Sequence, residues 1–272
     1  MKRILLFSLV FATINLTAQD LTSGKGENYL PESGDWSIGF DATSFLNFAG
    51  NLFNSNASAP SASEPMMSQT IYGKLFSSDD QAWRATLGIN MGSNTSNSIV
   101  TGYDQTGLPT ATNVTDETKV SQTKFVLGLG KEFRRGSTRL QGLYGAEALF
   151  SLESGSTTYT YGNTLLSEWN ANVSSSRNTE VKTGGTLGVT VRAFVGAEYF
   201  IAPKISLTAE YGWGVTFTST AGGSTTSETI INDAFGNPIT SVTEVDGAGS
   251  SSFNLGNDLG LANGMLGLML HF

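Results

Sequence analysis

From Leu187 onward the chain alternates apolar positions with polar or small ones. Leu187, Val189, Val191, Ala193, Val195, Ala197 and Tyr199 share one parity, and Gly188, Thr190, Arg192, Phe194, Gly196, Glu198 and Phe200 the other. A break at Ala202-Pro203-Lys204 follows. The alternation then resumes, with Ile205, Leu207, Ala209, Tyr211, Trp213, Val215 and Phe217 against Ser206, Thr208, Glu210, Gly212, Gly214 and Thr216. Period two places successive side chains on opposite faces of a β-strand, and the short break makes the pair an antiparallel hairpin. Strands of about 13 residues reach roughly 43 Å. Tilted near 45°, that length crosses a ~30 Å hydrocarbon layer.

A water-soluble barrel also alternates, but its solvent face is dense in Lys and Glu. Here the polar face is mostly Gly, Ser and Thr with isolated charges, which suits a cramped interior. The apolar face is aliphatic in the middle and aromatic toward its ends, at Tyr199, Trp213 and Phe217. That is the layout of an apolar band with aromatic girdles.

The same plan predicts five strands upstream. They run from Trp36, around Ile71 to Leu75, from Trp83 to Met91, from Lys124 to Phe133, and from Arg139 to Phe150. A last strand ends the chain, with Leu266, Leu268, Leu270 and Phe272 alternating with Gly267, Met269 and His271. Tight turns fall at Ser77-Ser78-Asp79-Asp80 and Arg135-Gly136-Ser137. Long connections span 46–65, 93–118, 151–182 and 218–252. The expected architecture is an all-β, antiparallel up-and-down transmembrane barrel of eight strands. Ten is the alternative if Asn51–Ser63 or Thr157–Tyr161 pair within the wall.

The start of the chain differs from the rest. Met1-Lys2-Arg3, an apolar run from Ile4 to Ile14 and Leu16-Thr17-Ala18 read as a secretory signal peptide over residues 1–18. Residues 19–33 read as a flexible periplasmic leader and 34–272 as the barrel. Charged residues are only 14% of the chain and mean hydropathy is −0.06, too low for a helical membrane protein. The absence of cysteine excludes disulfides and thiolate metal sites. Net charge is −8, and removing Lys2 and Arg3 leaves 13 bases against 23 acids. That balance disfavours nucleic acid as a partner.

An N-terminal export signal, an even strand count, alternating short and long connections and the terminal Phe272 together resemble bacterial outer-membrane β-barrels, most closely the small OmpA, OmpX and opacity-protein type. The resemblance implies a cell outer-membrane location in a Gram-negative envelope, short turns and both termini in the periplasm, and long loops outside. It also implies that the last strand with Phe272 is the signal read by the barrel-insertion machinery, and that outer-membrane lipid surrounds the wall. No family-specific functional motif is matched.

On this plan Asp41, Glu132, Glu147, Glu198 and Glu210 point inward with Lys74, Arg84, Lys124, Arg139 and Arg192. Such a layer reads either as structural salt-bridge filling or as a polar path. Buried charges need partners because desolvation is costly, and eight-stranded barrels enclose little beyond their own side chains. Counted from the turns, Lys124, Glu147 and Arg192 are expected at one height, while Glu132 and Arg139 flank one turn.

The loops contain a repeat, Asp104-Gln-Thr-Gly107-Leu-Pro109 and Asp233-Ala-Phe-Gly236-Asn-Pro238. Asp followed three residues later by Gly is turn chemistry, so these loops are expected to extend their strands as hairpins. A Ca²⁺ site would need denser carboxylates than these Asp residues supply. The four loops hold 11 acids and only two bases, Arg177 and Lys182.

Four functions compete. A structural or surface-interaction barrel contacting an unidentified partner through its acidic loops fits best; the alternatives are a narrow porin or channel, a carrier of a lipid or other hydrophobic molecule, and an enzyme. The single histidine, His271, lies beside the periplasmic terminus, so catalytic residues, metal and cofactor are all expected to be absent. Of the inward residues only Phe194, Phe200 and Met269 favour an apolar cargo.

Overall fold

The computed structural model describes residues 21–41, 69–165, 176–257 and 265–272. The signal-peptide segment and the first long loop lie outside these residues. Eleven antiparallel β-strands form one sheet: β1 (Trp36–Asp41), β2 (Gln69–Ser78), β3 (Gln81–Tyr103), β4 (Pro109–Arg135), β5 (Leu140–Thr160), β6 (Ser176–Ala202), β7 (Ile205–Thr220), β8 (Ser224–Asn232), β9 (Pro238–Asp246), β10 (Ser250–Asn257) and β11 (Met265–His271).

These eleven strands are eight passes of the chain. Thr186 of β6 faces Thr220 of β7, and Lys182 of β6 faces Ser224 of β8, so β8 continues β7 in unbroken register. Likewise Ser224 faces Asp246 and Thr220 faces Ser250, so β9 and β10 form one descending strand beside them. β11 completes that pass lower down on β7 and closes the ring by pairing with β1. The eight-strand expectation holds, and the Thr157–Thr160 segment extends β5 instead of adding a strand to the wall.

Ladder partners traced around the ring from Ile38 run through Gly73, Ala85, Leu129, Ala148 and Val191 to Val215 of β7. In the other direction Ile38 leads through Leu270 to Ile205 of the same strand. The two arrivals are ten residues apart along β7. That stagger is what closure of a tilted sheet requires, at roughly 35–45° to the axis, and an eight-stranded interior is narrow enough for side chains to fill.

The faces separate as the period-two pattern predicts. Trp36, Trp83, Leu129, Val191, Trp213 and Phe272 are exposed on the outer wall, while Lys74, Glu132, Arg192 and Glu198 are buried inside. Packing inside follows a large-to-small rule across the ladder. Glu147 lies opposite Gly130, Arg192 opposite Gly214, Glu210 opposite Gly196, Leu149 opposite Gly128 and Met269 opposite Gly39. A Cβ on Gly130 would come within 2.5 Å of that of Glu147, and one on Gly214 within 2.7 Å of that of Arg192. The glycines thus make the space that the long side chains fill.

The ends of the barrel differ. Tight connections at 79–80, 136–139 and 203–204 sit at one end with Trp36 and Phe272, and Lys204 takes a left-handed φ of 66° in its turn. Residues 21–35 carry more structure than their polar composition announces. Gly34 N–H donates to the carbonyl of Phe76, Ser33 N–H to Asp79, and Lys204 to the Asp35 carboxylate. The Arg139 guanidinium lies 3.6 Å from the centre of the Tyr29 ring.

At the other end β3 and β4 run on as a hairpin through the 93–118 segment, and β8 and β9 form a second one. Both tips use the repeated motif. Asp104 N–H donates to Leu108 and Gly107 N–H to Asp104, with Gly107 at φ 75°; Asp233, Asn237 and Gly236 repeat the pattern with Gly236 at 83°.

Candidate functional site: the charged layer of the lumen

The lumen at the turn end is filled by one connected ionic network drawn from every pass but the first. Glu198 of β6 receives Arg134 of β4, Lys74 of β2 (3.3 Å), the Ser206 hydroxyl and His271 (3.2 Å). Lys74 also reaches Glu132 at 2.9 Å. Glu132 joins this group to Arg84 at 3.1 Å, and Arg84 grips Glu210 through two nitrogens at 2.7 and 2.9 Å. Arg84 and Arg192 converge on Glu147, at 3.7 and 2.6 Å. Four acids therefore meet four permanent cations, all at most 5% exposed.

Aromatic rings fill between the charges. Phe194 packs under Arg84 (4.2 Å) and Arg192 (5.7 Å), while Arg134 lies between Phe76 and Phe200. His271 packs against the same two rings.

Of the inward charges expected from sequence, Lys74, Arg84, Glu132, Glu147, Arg192, Glu198 and Glu210 come together here. Asp41 is described only by its backbone, at the end of β1 opposite Gly267. Lys124 is a correction. It faces Glu153 across the ladder at 3.5 Å, half exposed, while Gly130 is the residue opposite Glu147. Lys124 thus sits six residues, about 20 Å, above the layer. The hairpin closes at Arg135 and Gly142, so its centre lies beyond the Arg135-Gly136-Ser137 turn from which the heights were counted.

Arg139 flanks the turn, as expected, and lies half-buried over Tyr29, and the layer includes Arg134 as well. One further step along the inward parity of Lys124, Gly128, Gly130 and Glu132 reaches Arg134. The turn assignment stopped one step short of it.

Glu198, His271 and Ser206 invite comparison with an acid–base–nucleophile relay. Here both Ser206 Oγ (2.9 Å) and Glu198 Oε1 contact the same ring nitrogen, Nε2, and among the described residues Nδ1 has no hydrogen-bond partner. A relay requires the acid on the second nitrogen. All three side chains are at most 2% exposed.

The lumen is also more apolar than the sequence suggested. Tyr72, Phe76, Leu143 and Leu149 join Phe194, Phe200 and Met269 among the buried side chains. At the hairpin end, Arg177 pairs with Glu228, stacks 4.3 Å over Tyr161 and donates to the Asn163 carbonyl. Asn163 also bonds the backbone of Thr101 and Tyr103, tying the 161–165 segment to the β3–β4 hairpin. The Asp104 and Asp233 carboxylates are occupied by N–H and hydroxyl donors of their own turns. Among the described residues no cluster of three or more metal-ligating side chains occurs.

No family model matches the chain, and no curated protein matches it. Among solved structures, a major outer membrane protein from Thermus thermophilus is similar at 14% identity, over 88% of this chain and 98% of that one, with a TM-score of 0.30. So loose a superposition adds nothing to the geometry above.

Proposed function

We propose that this chain is an outer-membrane β-barrel with a structural or surface-interaction role, closed to solute flow and non-catalytic. One observation carries the reading: the barrel is inverted. Its ionic network is enclosed and its outer wall is a band of exposed Ile, Leu, Val and aromatic residues. In water that wall would be an exposed apolar surface far beyond what soluble monomers carry. In a bilayer it is the solvent-matched face, and closed barrels satisfy every ladder hydrogen bond. The turn end, with both chain ends, then faces the periplasm, and the acidic hairpins face outward to an external partner. Phe272, stacked on Trp36 at 4.5 Å, sits in the girdle where the insertion machinery would read it.

Against the channel reading stands the layer itself, whose charges and rings occupy the lumen at the turn end. Its histidine is spent on Glu198. The test has two parts. The mature protein should fractionate with outer membranes and shift its mobility on SDS gels after boiling; recovery as a soluble periplasmic protein overturns the membrane reading. In planar bilayers it should show no steady conductance, and a large stable conductance would replace the closed barrel with a channel.

A further inference from the structure

The outer wall carries a notch over β4 to β6. Trp83, Lys131, Ala146, Ala193 and Trp213 are successive ladder partners on β3 to β7. The two alanines leave a notch of about 460 Å³ in the wall, bounded below by Phe133, Tyr144 and Val195. Phe133 and Tyr144 stack at 5.4 Å and form its firm lower edge. The notch is open along the wall and lined almost wholly by apolar atoms, which suits an apolar chain lying against the wall.

Lys131 stands at the side of the notch. Between the turn-end aromatics and Phe125, Phe150 and Phe217 at the other rim, it is the single charged outward side chain among the described residues. A charge on the lipid face is disfavoured in proportion to its depth. Its stem borders the notch, while its ammonium reaches across β3 toward the turn end, 4.6 Å from the Trp83 ring centre and 3.1 Å from Ser77 Oγ of β2. Two contacts leave an ammonium, with three donors, able to take an anion. A cation at girdle height beside an apolar notch matches the two parts of one molecule.

We infer that the Ala146–Ala193 notch seats an acyl chain of an anionic diacyl phospholipid from the turn-end leaflet, with Lys131 holding its phosphate. This deepens the proposed function and rests on the membrane reading.

Native mass spectrometry of the purified full-length mature protein in mild detergent tests it, with phosphatidylglycerol, phosphatidylcholine and inorganic phosphate as separate probes. One phosphatidylglycerol should remain bound under conditions that strip other lipid, preferred over phosphatidylcholine by roughly fivefold, the factor one surface cation confers. Lys131→Gln should erase the preference while some lipid still binds. Ala146→Leu or Ala193→Leu, which fill the notch from outside and leave the lumen untouched, should abolish retention.

Unchanged preference in Lys131→Gln, or unchanged retention in both leucine variants, overturns the inference. So does binding of inorganic phosphate equal to that of the lipid, which would mark a bare anion site. A protein that stays soluble without detergent sinks the membrane reading itself. A heat-shifting barrel that retains no lipid sinks only the site.

Discussion

The lumen layer and the outer hairpins are built from the same strands and the same ion pairs, yet the pairs carry different weight. β4 supplies both regions. At its lower end Glu132 is fully buried between Lys74 and Arg84, and midway along it, at the foot of the hairpin, Lys124 meets Glu153 with both side chains about half exposed. Removing one member of an enclosed network strands its partners without water, whereas an exposed pair is replaced by solvent. Enclosure, more than pairing, decides what each charge contributes.

The sharpest break of that contrast is Glu198→Ala set against Glu228→Ala. Loss of Glu198 leaves Arg134, Lys74 and His271 without their common acid and should cost about 3–5 kcal/mol in urea unfolding from lipid vesicles. Loss of Glu228, whose pair with Arg177 is partly solvated, should cost about 0–1 kcal/mol. Equal costs would end the distinction between the regions.

Next, a double-mutant cycle on Glu147 and Arg192 should show a coupling of about 0.5–3 kcal/mol, because the two are direct ladder partners in contact. The same cycle on Glu147 and Lys124 should be additive. Coupling there would contradict their separation of about 20 Å along the strand.

Phe272→Ala removes the ring stacked on Trp36, and beyond lost apolar area such a pair contributes about 0.5–1.5 kcal/mol. Surface abundance in cells should fall further than this stability loss implies, since insertion is also affected; normal abundance would leave Phe272 a girdle residue only.

The smallest effect is acid-dependent and confined to the hairpin tips. Bonds from the Thr106 hydroxyl and then from the Leu108 N–H hold the Asp104 carboxyl below the ordinary aspartate value of 3.8. The Asn237 side-chain amide and backbone do the same for Asp233. A lowered folded value means that the turn's stabilisation is complete above about pH 4 and is lost as pH falls through that value. Amide exchange at Thr106, Leu108, Phe235 and Asn237 should accelerate there relative to mid-strand amides, and a flat profile would show that the carboxylates do not hold the turns.

Strand faces were legible in the sequence because period two is strict wherever one face is enclosed. Seven of the ten inward charges could therefore be placed from parity alone. Height was not legible, because it depends on where each hairpin closes, and parity does not report that. Lys124 is misplaced for this reason, at a single turn. The role of Lys131 is not legible from its own strand, because its meaning depends on two alanines on neighbouring strands. The reach of β3 and β4 beyond the wall was partly legible, since the Asp-x-x-Gly tips mark where the chain reverses.

The pairing of Glu147, Arg192 and Glu210 with glycines across the ladder constrains how this sequence can diverge. A bulky residue cannot arise at position 130 while Glu147 stands opposite, nor at 214 while Arg192 does. Such a change becomes acceptable once its partner has shrunk. Descendants of this chain should therefore trade lumen bulk between strands in matched steps, with the acid on β4 and the glycine on β5 as readily inherited as the present arrangement. Conservation at either position alone would understate how tightly the pair is held.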